Sequence, residues 1–155
     1  MHRALVTSLA LSACWSGAPP PPTAGPPVAV APPPRHVPDP PKFSVWEGRY
    51  VCSQGPTAMK LSISATPDGA ARIRFDFRAL PENPAVPSGS YQLLGSLVVT
   101  DDGTLELAAN PDRWFDQPSG YTMVGIRARS DARQTSMKGR IANDSCGELE
   151  VTRLR

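Results

Sequence analysis

Apolar and charged residues alternate in much of the chain beyond Lys42, and this period of two constrains the fold more than any other feature. Ile73, Phe75 and Phe77 are separated by charged residues, as in a strand with one buried and one wet face. Other alternating or β-rich stretches lie at residues 45–52, 59–63, 91–99, 104–108, 121–129, 135–141 and 148–154. We therefore expect an all-β domain.

No stretch carries a convincing apolar stripe at helical spacing, so we expect no long helix. About eight short antiparallel strands in residues 42–155 predict a small up-and-down β-barrel or a sandwich. Glycines inside the strands, at Gly48, Gly95, Gly125 and Gly139, favour the barrel. A tightly curved sheet needs positions without side chains where it bends.

Proline is concentrated ahead of this domain. Twelve of the 19 prolines lie between Pro19 and Pro41. Proline fixes φ and removes a backbone donor, so residues 14–41 predict a disordered, extended linker of about 3.1 Å per residue. A docking site for a proline-reading partner is the alternative to this spacer role.

The N-terminal residues form a short apolar run that ends at a cysteine. The apolar run at residues 4–11 is too short to span a membrane. It ends in Leu11-Ser12-Ala13-Cys14, which resembles the lipobox of bacterial lipoproteins. The resemblance implies cleavage after Ala13, a diacylglyceryl group on the Cys14 thiol, and further acylation, for example by palmitate. Two or more acyl chains give stable membrane anchoring.

We therefore expect a signal peptide at residues 1–13 and a location in the cell envelope, anchored through acyl chains on Cys14. Trp15 rather than Asp follows the cysteine. In a diderm host the lipoprotein pattern then favours the outer membrane. The alternatives are an ordinary secretory signal, or a chance cysteine beside an apolar run.

Two further cysteines, Cys52 and Cys146, lie in the first and last predicted strands. In an exported protein such a pair predicts a disulfide. The bond would close a loop of about 95 residues, which the chain-entropy model values at about 4 to 5 kcal/mol. It would also place the first and last strands side by side, as a barrel requires. Two unpaired thiols in a reducing compartment are the alternative.

A set of turn and core residues is spread along the domain. It consists of Trp46-x-Gly48-x-Tyr50-x-Cys52-x-Gln54-Gly55, Asn83-Pro84-x-x-Pro87-x-Gly89, Trp114, Pro118-x-Gly120-Tyr121, Gly125, and Gly139 ahead of Cys146. With this set the domain resembles a small β-domain of bacterial exported proteins, found as a stand-alone lipoprotein or as an appendage of caspase-like peptidases. The resemblance spans residues 45–155 and implies a fold rather than an activity. A looser similarity, in architecture and a shared Tyr-x-Cys, is to lipoprotein inhibitors of lysozyme.

Several kinds of chemistry are excluded by what the domain lacks. The only histidines are His2 and His36, which precede it, so Ser-His-Asp and Cys-His centres are not available. The sequence has no metal-ligand motif and no phosphate-binding glycine loop, and we expect neither metal nor cofactor. A net charge of +2 argues against a nucleic-acid partner.

One segment combines aromatic rings with a few polar groups, as sugar-binding and protein-binding surfaces do. Its candidate binding residues are Asp112, Arg113, Trp114, Phe115, Asp116 and Tyr121. A core role, with Trp114 or Phe115 closing one end of the barrel, is the alternative. A glycosidase needs two nearby carboxylates, so Asp112 and Asp116 are the only catalytic option, and a weak one.

We therefore predict a monomeric, non-catalytic binding module for an envelope glycan or a protein partner. The alternatives are an inhibitor of an envelope-directed hydrolase such as lysozyme, and a carboxylate-dependent glycan hydrolase.

Overall fold

The structure, a computed structural model, describes residues 39–155. The predicted signal peptide, Cys14 and nearly all of the proline-rich linker lie outside the described residues. The described part consists of eight strands joined by turns and loops. They are β1 (Phe43–Cys52), β2 (Gly55–Ala65), β3 (Ala70–Arg78), β4 (Gly89–Val99), β5 (Leu105–Asp116), β6 (Gly125–Ser130), β7 (Ser136–Ala142) and β8 (Cys146–Arg153).

Each strand pairs antiparallel with the next, and β8 pairs with β1 to close a barrel. The up-and-down barrel is therefore confirmed and the sandwich is not formed. Closure is set by direct pairing of the first and last strands, in which Trp46 lies opposite Arg153 and Gly48 opposite Val151. Residues 39–155 include no helix long and apolar enough to cross a membrane.

The up-and-down order places alternate connections at opposite ends of the barrel. We call the end formed by residues 53–54, 79–88, 117–124 and 143–145 the mouth, and the opposite end the base. The chain enters the barrel at the base, where the Lys42 carbonyl accepts a hydrogen bond from the Ala65 amide. The chain also ends there, since the Arg155 carbonyl accepts from the Val45 amide at 2.9 Å.

Inward-facing side chains fill the barrel between base and mouth. Trp46 is fully buried near the base, and its indole N–H donates to the Ser44 hydroxyl at 3.0 Å. Phe75 is equally buried closer to the mouth. Strand β3, which carries Phe75, buries alternate residues as the sequence period predicts, whereas β1 buries Ser44, Val45 and Trp46 in succession. The other fully buried apolar side chains include Leu61, Ile63, Ile73, Leu93, Leu97, Leu105, Ile126, Met137 and Ile141.

Three of the glycines that favoured a barrel lie where neighbouring strands approach most closely. A Cβ atom at Gly48, Gly95 or Gly139 would lie about 2 Å from a carbonyl oxygen of the adjacent strand. No side chain fits there unless that strand moves. At Gly125 the approach is looser, at 2.8 Å.

Strand β5 is longer than the alternation predicts. The pattern ends at residue 108, whereas the strand continues to Asp116. Two register shifts against β4 leave Asp112 and Phe115 without a partner, as β-bulges do. Pairing with β6 extends only from Glu106 to Ala109, so the later residues, including Pro111, have strand pairing on one side only. Proline is tolerated in a strand at such an edge.

The predicted disulfide between Cys52 and Cys146 is present. It joins the last residue of β1 to the first residue of β8, which lie opposite each other in the register. The bond therefore fixes barrel closure at the mouth.

Candidate functional site

The mouth contains a cavity of about 250 Å³. Charged residues make up 19% of the chain, but no charged residue lines this cavity. The lining therefore combines aromatic rings with neutral amide and hydroxyl groups. Its residues are Tyr50, Cys52, Ser53, Gln54, Phe77, Tyr91, Gly120, Tyr121, Thr122, Val124, Asn143, Ser145 and Cys146.

A cluster of aromatic rings forms the wall and floor of the cavity, which all three tyrosines of the chain line. The Tyr121 ring stacks on Phe77 with centroids 5.6 Å apart. Deeper in the barrel, Tyr91 stacks on Phe75 at 4.7 Å. Phe75 also meets Tyr50 edge to face at 5.6 Å. The rings hold one another in place, which gives the cavity a preformed aromatic surface.

Tyr50 is a buried polar group of the cavity floor, with 4% of its surface exposed. Its oxygen accepts a hydrogen bond from the Gln54 amide at 3.4 Å. The same amide donates to Thr57, whose own hydroxyl donates to the Gly55 carbonyl. Burial raises the pKa of Tyr50 to about 12, so the phenol is a neutral donor at ordinary pH.

Tyr91 connects the floor to the loop between β5 and β6. Its hydroxyl donates to the Val124 carbonyl at 3.1 Å and lies 3.5 Å from the amide of the same residue. Burial also raises the pKa of Tyr91. This link positions the loop that carries Tyr121.

A second link connects the loop between β3 and β4 to the turn between β1 and β2. The side-chain amide of Asn83, in the loop between β3 and β4, donates to the carbonyls of Gln54 and Pro56 at 2.7 and 3.1 Å. The turn between β1 and β2, which supplies Gln54 to the cavity, is therefore fixed by a residue distant in sequence.

The structure divides the predicted binding residues between two surfaces. Trp114 points inward and meets Tyr91 edge to face at 5.1 Å, so it supports the wall without lining the cavity. Tyr121 lines the cavity directly. Phe115 lies on the outer surface, 45% exposed, with the guanidinium groups of Arg74 and Arg113 4.9 and 5.6 Å from its ring centre.

The two predicted carboxylates also lie away from the cavity. Asp112 accepts a hydrogen bond from the Gln92 amide at 2.6 Å on the outer surface. Asp116 lines a separate outer depression together with Lys60 and Arg78. Within residues 39–155, no group of three or more His, Cys, Asp or Glu residues is arranged to hold a metal ion.

The sequence reasoning missed most of the cavity, including Tyr50, Gln54, Tyr91 and Asn143. These residues come from four separate strands or turns, and only barrel closure brings them together. The sequence did contain a signal for two of them. Tyr50 and Tyr91 occupy inward-facing positions near the mouth ends of their strands, which is where residues that line a cavity at the mouth must lie.

No family model and no curated protein sequence is significantly similar to the chain. The assignment of a function therefore depends on the chemistry of the mouth.

Proposed function

We propose that the chain is a lipid-anchored lipoprotein of the cell envelope, in which the barrel is a non-catalytic module that binds a glycan at its mouth. The supporting observation is the uncharged lining of aromatic, amide and hydroxyl groups. Flat rings contact the C–H faces of sugars, and a few oriented polar groups bind their hydroxyls. A protein partner is less well supported. A specific protein interface buries about 800 Å² on each side, which is far more surface than a cavity of about 250 Å³ provides.

The path of the chain supports a role at a membrane surface. Residue Lys42 joins the barrel at the base, opposite the mouth. A tether that arrives at Lys42 would therefore reach the barrel at the end opposite the cavity. In a diderm host this proposal places the protein on the outer membrane.

The two alternative functions have less support. Hydrolysis by Asp112 and Asp116 would take place on the outer surface, where one carboxylate is already bound by Gln92 and neither reaches the cavity. Inhibition of a hydrolase such as lysozyme predicts capture of a protein rather than of a sugar.

Binding to fractionated envelope glycans tests the proposal. Tyr121→Ala removes the ring that lines the cavity, and Phe115→Ala is the matched control because it removes an exposed ring from the outer surface. We expect the wild type and Phe115→Ala to retain glycan, and Tyr121→Ala to lose it while remaining folded by circular dichroism. Loss in Phe115→Ala with retention in Tyr121→Ala would place the site outside the mouth. Capture of a hydrolase without glycan would favour the inhibitor.

Anchoring is tested separately. We expect labelled palmitate to be incorporated into the wild type and the protein to sediment with membranes. Cys14→Ala should abolish both. A Cys14→Ala variant that remains acylated would contradict the lipoprotein assignment.

A further inference from the structure

The floor of the mouth cavity is closed. Beneath Tyr50 and Tyr91 lies Phe75, fully buried and in contact with both rings. Below it the barrel is filled by buried side chains such as Leu61 and Leu93. A ligand can therefore enter from one side only, and no polymer can pass through.

The size of the cavity restricts the ligand further. Its volume of about 250 Å³ is below the roughly 300 to 1,000 Å³ that is usual for sites of drug-sized ligands. A space of this size takes a ring-sized group. A long ligand must therefore insert an end and leave the rest of its length in solvent.

The floor offers a hydrogen-bond donor that lines the cavity. Tyr50 interacts with the side chains of Gln54 and Thr57, but within residues 39–155 its O–H donates to no carbonyl or carboxylate oxygen. The Tyr91 hydroxyl differs, because its proton is already used by the Val124 carbonyl. An acceptor oxygen on the ligand would complete the hydrogen bonding of Tyr50, which lines the cavity.

The absence of charge from the lining disfavours ionised ligands. A buried charge without a partner costs several kcal/mol in the interior of a protein. A sugar that carries a carboxylate would lose water at this site without gaining a counter-ion. The cavity chemistry is therefore complementary to neutral oxygen acceptors.

We infer that the mouth recognises the uncharged terminal ring of a glycan end-on, with the Tyr50 hydroxyl as the hydrogen-bond donor at its floor. This inference rests on the proposed glycan-binding function. It adds that the protein binds the terminal ring of the glycan and that this ring is uncharged. Internal segments of a polymer are not ligands.

Calorimetric titration of the purified protein with defined saccharides tests the inference. The probes are short and long linear oligosaccharides of glucose, mannose and N-acetylglucosamine. They are compared with cyclic oligosaccharides of glucose, which have no chain end, and with linear forms whose terminal ring is oxidised to a uronic acid. We expect at least one neutral linear series to bind with an affinity that does not rise with length. Cyclic and uronic-acid-terminated forms should bind at least tenfold more weakly.

The other outcomes separate the two claims. Affinity that rises with length, or equal binding of cyclic forms, would overturn end-on recognition and leave the glycan-binding function standing. No binding by any member of the panel would overturn both.

Tyr50→Phe tests the donor with little change in shape. We expect about tenfold weaker binding, as for loss of one hydrogen bond, with an unchanged melting temperature. Phe115→Leu, on the outer surface, should bind like the wild type. If Tyr50→Phe also binds like the wild type, the assignment of the Tyr50 donor is wrong.

Discussion

Removal of the disulfide is the sharpest test of how this barrel is stabilised. Cys52 and Cys146 are 94 residues apart, so their bond constrains nearly the whole unfolded domain. For a loop of this length, the chain-entropy model gives about 4.7 kcal/mol. Domains are typically stable by about 5 to 15 kcal/mol, so in a typical domain this contribution would be about a third or more of the total. Both cysteines are only partly buried, and alanine in their place leaves little cavity.

Urea denaturation of a Cys52→Ala, Cys146→Ala variant measures this contribution. We expect the free energy of unfolding to fall by about 3 to 5 kcal/mol. The m-value should rise, because an unfolded chain without the cross-link exposes more surface. Reduced wild-type protein is the control and should behave like the variant. A loss below about 1 kcal/mol with an unchanged m-value would refute the reasoning from the unfolded state.

Three further predictions concern single residues. Gly139→Ala should lower the free energy of unfolding by about 1 to 3 kcal/mol or more in chemical denaturation, because the new methyl would meet the backbone of β6; unchanged stability would contradict the close approach of the strands. Asn83→Ala removes two hydrogen bonds to the turn between β1 and β2, so we expect a loss of about 1 to 2 kcal/mol and faster proteolysis of the mouth loops, whereas wild-type cleavage rates would argue against this link. The raised pKa of Tyr50 means that this phenol loses its proton first in the unfolded chain as the pH rises. Its contribution to stability should fall by about 2 to 3 kcal/mol between pH 10 and 12, and the raised pKa of Tyr91 adds to the loss. Absorbance at alkaline pH follows this ionisation, and titration of every tyrosine near pH 10 in folded protein would contradict it.

The barrel was predictable because its signals are local. Alternation in β3, such as Ile73, Phe75 and Phe77, reports directly on which residues face the core. Gly48 and Gly139 lie where two strands of the strongly bent sheet approach so closely that no side chain fits between them. The cysteine pair then indicated which strands meet.

The second half of β5 was not predictable from the same signals. Pro111 and the neighbouring charged residues are unfavourable in a strand, and the bulges at Asp112 and Phe115 break the period of two. Trp114 lies inside the barrel and Phe115 outside it. A sequence reading that treats the two adjacent rings as one surface therefore joins residues that the structure separates.

The cavity was harder still, because it has no sequence motif. Tyr50 and Tyr91 are typical inward-facing strand residues, and Gln54 and Asn143 are typical turn residues. Their shared role follows from the register of distant strands, which a single sequence does not encode in any short pattern.

The two ends of the barrel domain meet at the base, which makes this barrel a favourable scaffold for rearrangement. The Val45 amide and carbonyl bond to Arg155 and Leu154, at 2.9 and 2.8 Å, so a short peptide can join the two ends. A circular permutant opened at a base turn, such as residues 131–135, would keep every strand pair and the disulfide. Fusion partners or surface attachments joined directly to either end of the barrel domain would likewise start from the base, opposite the cavity.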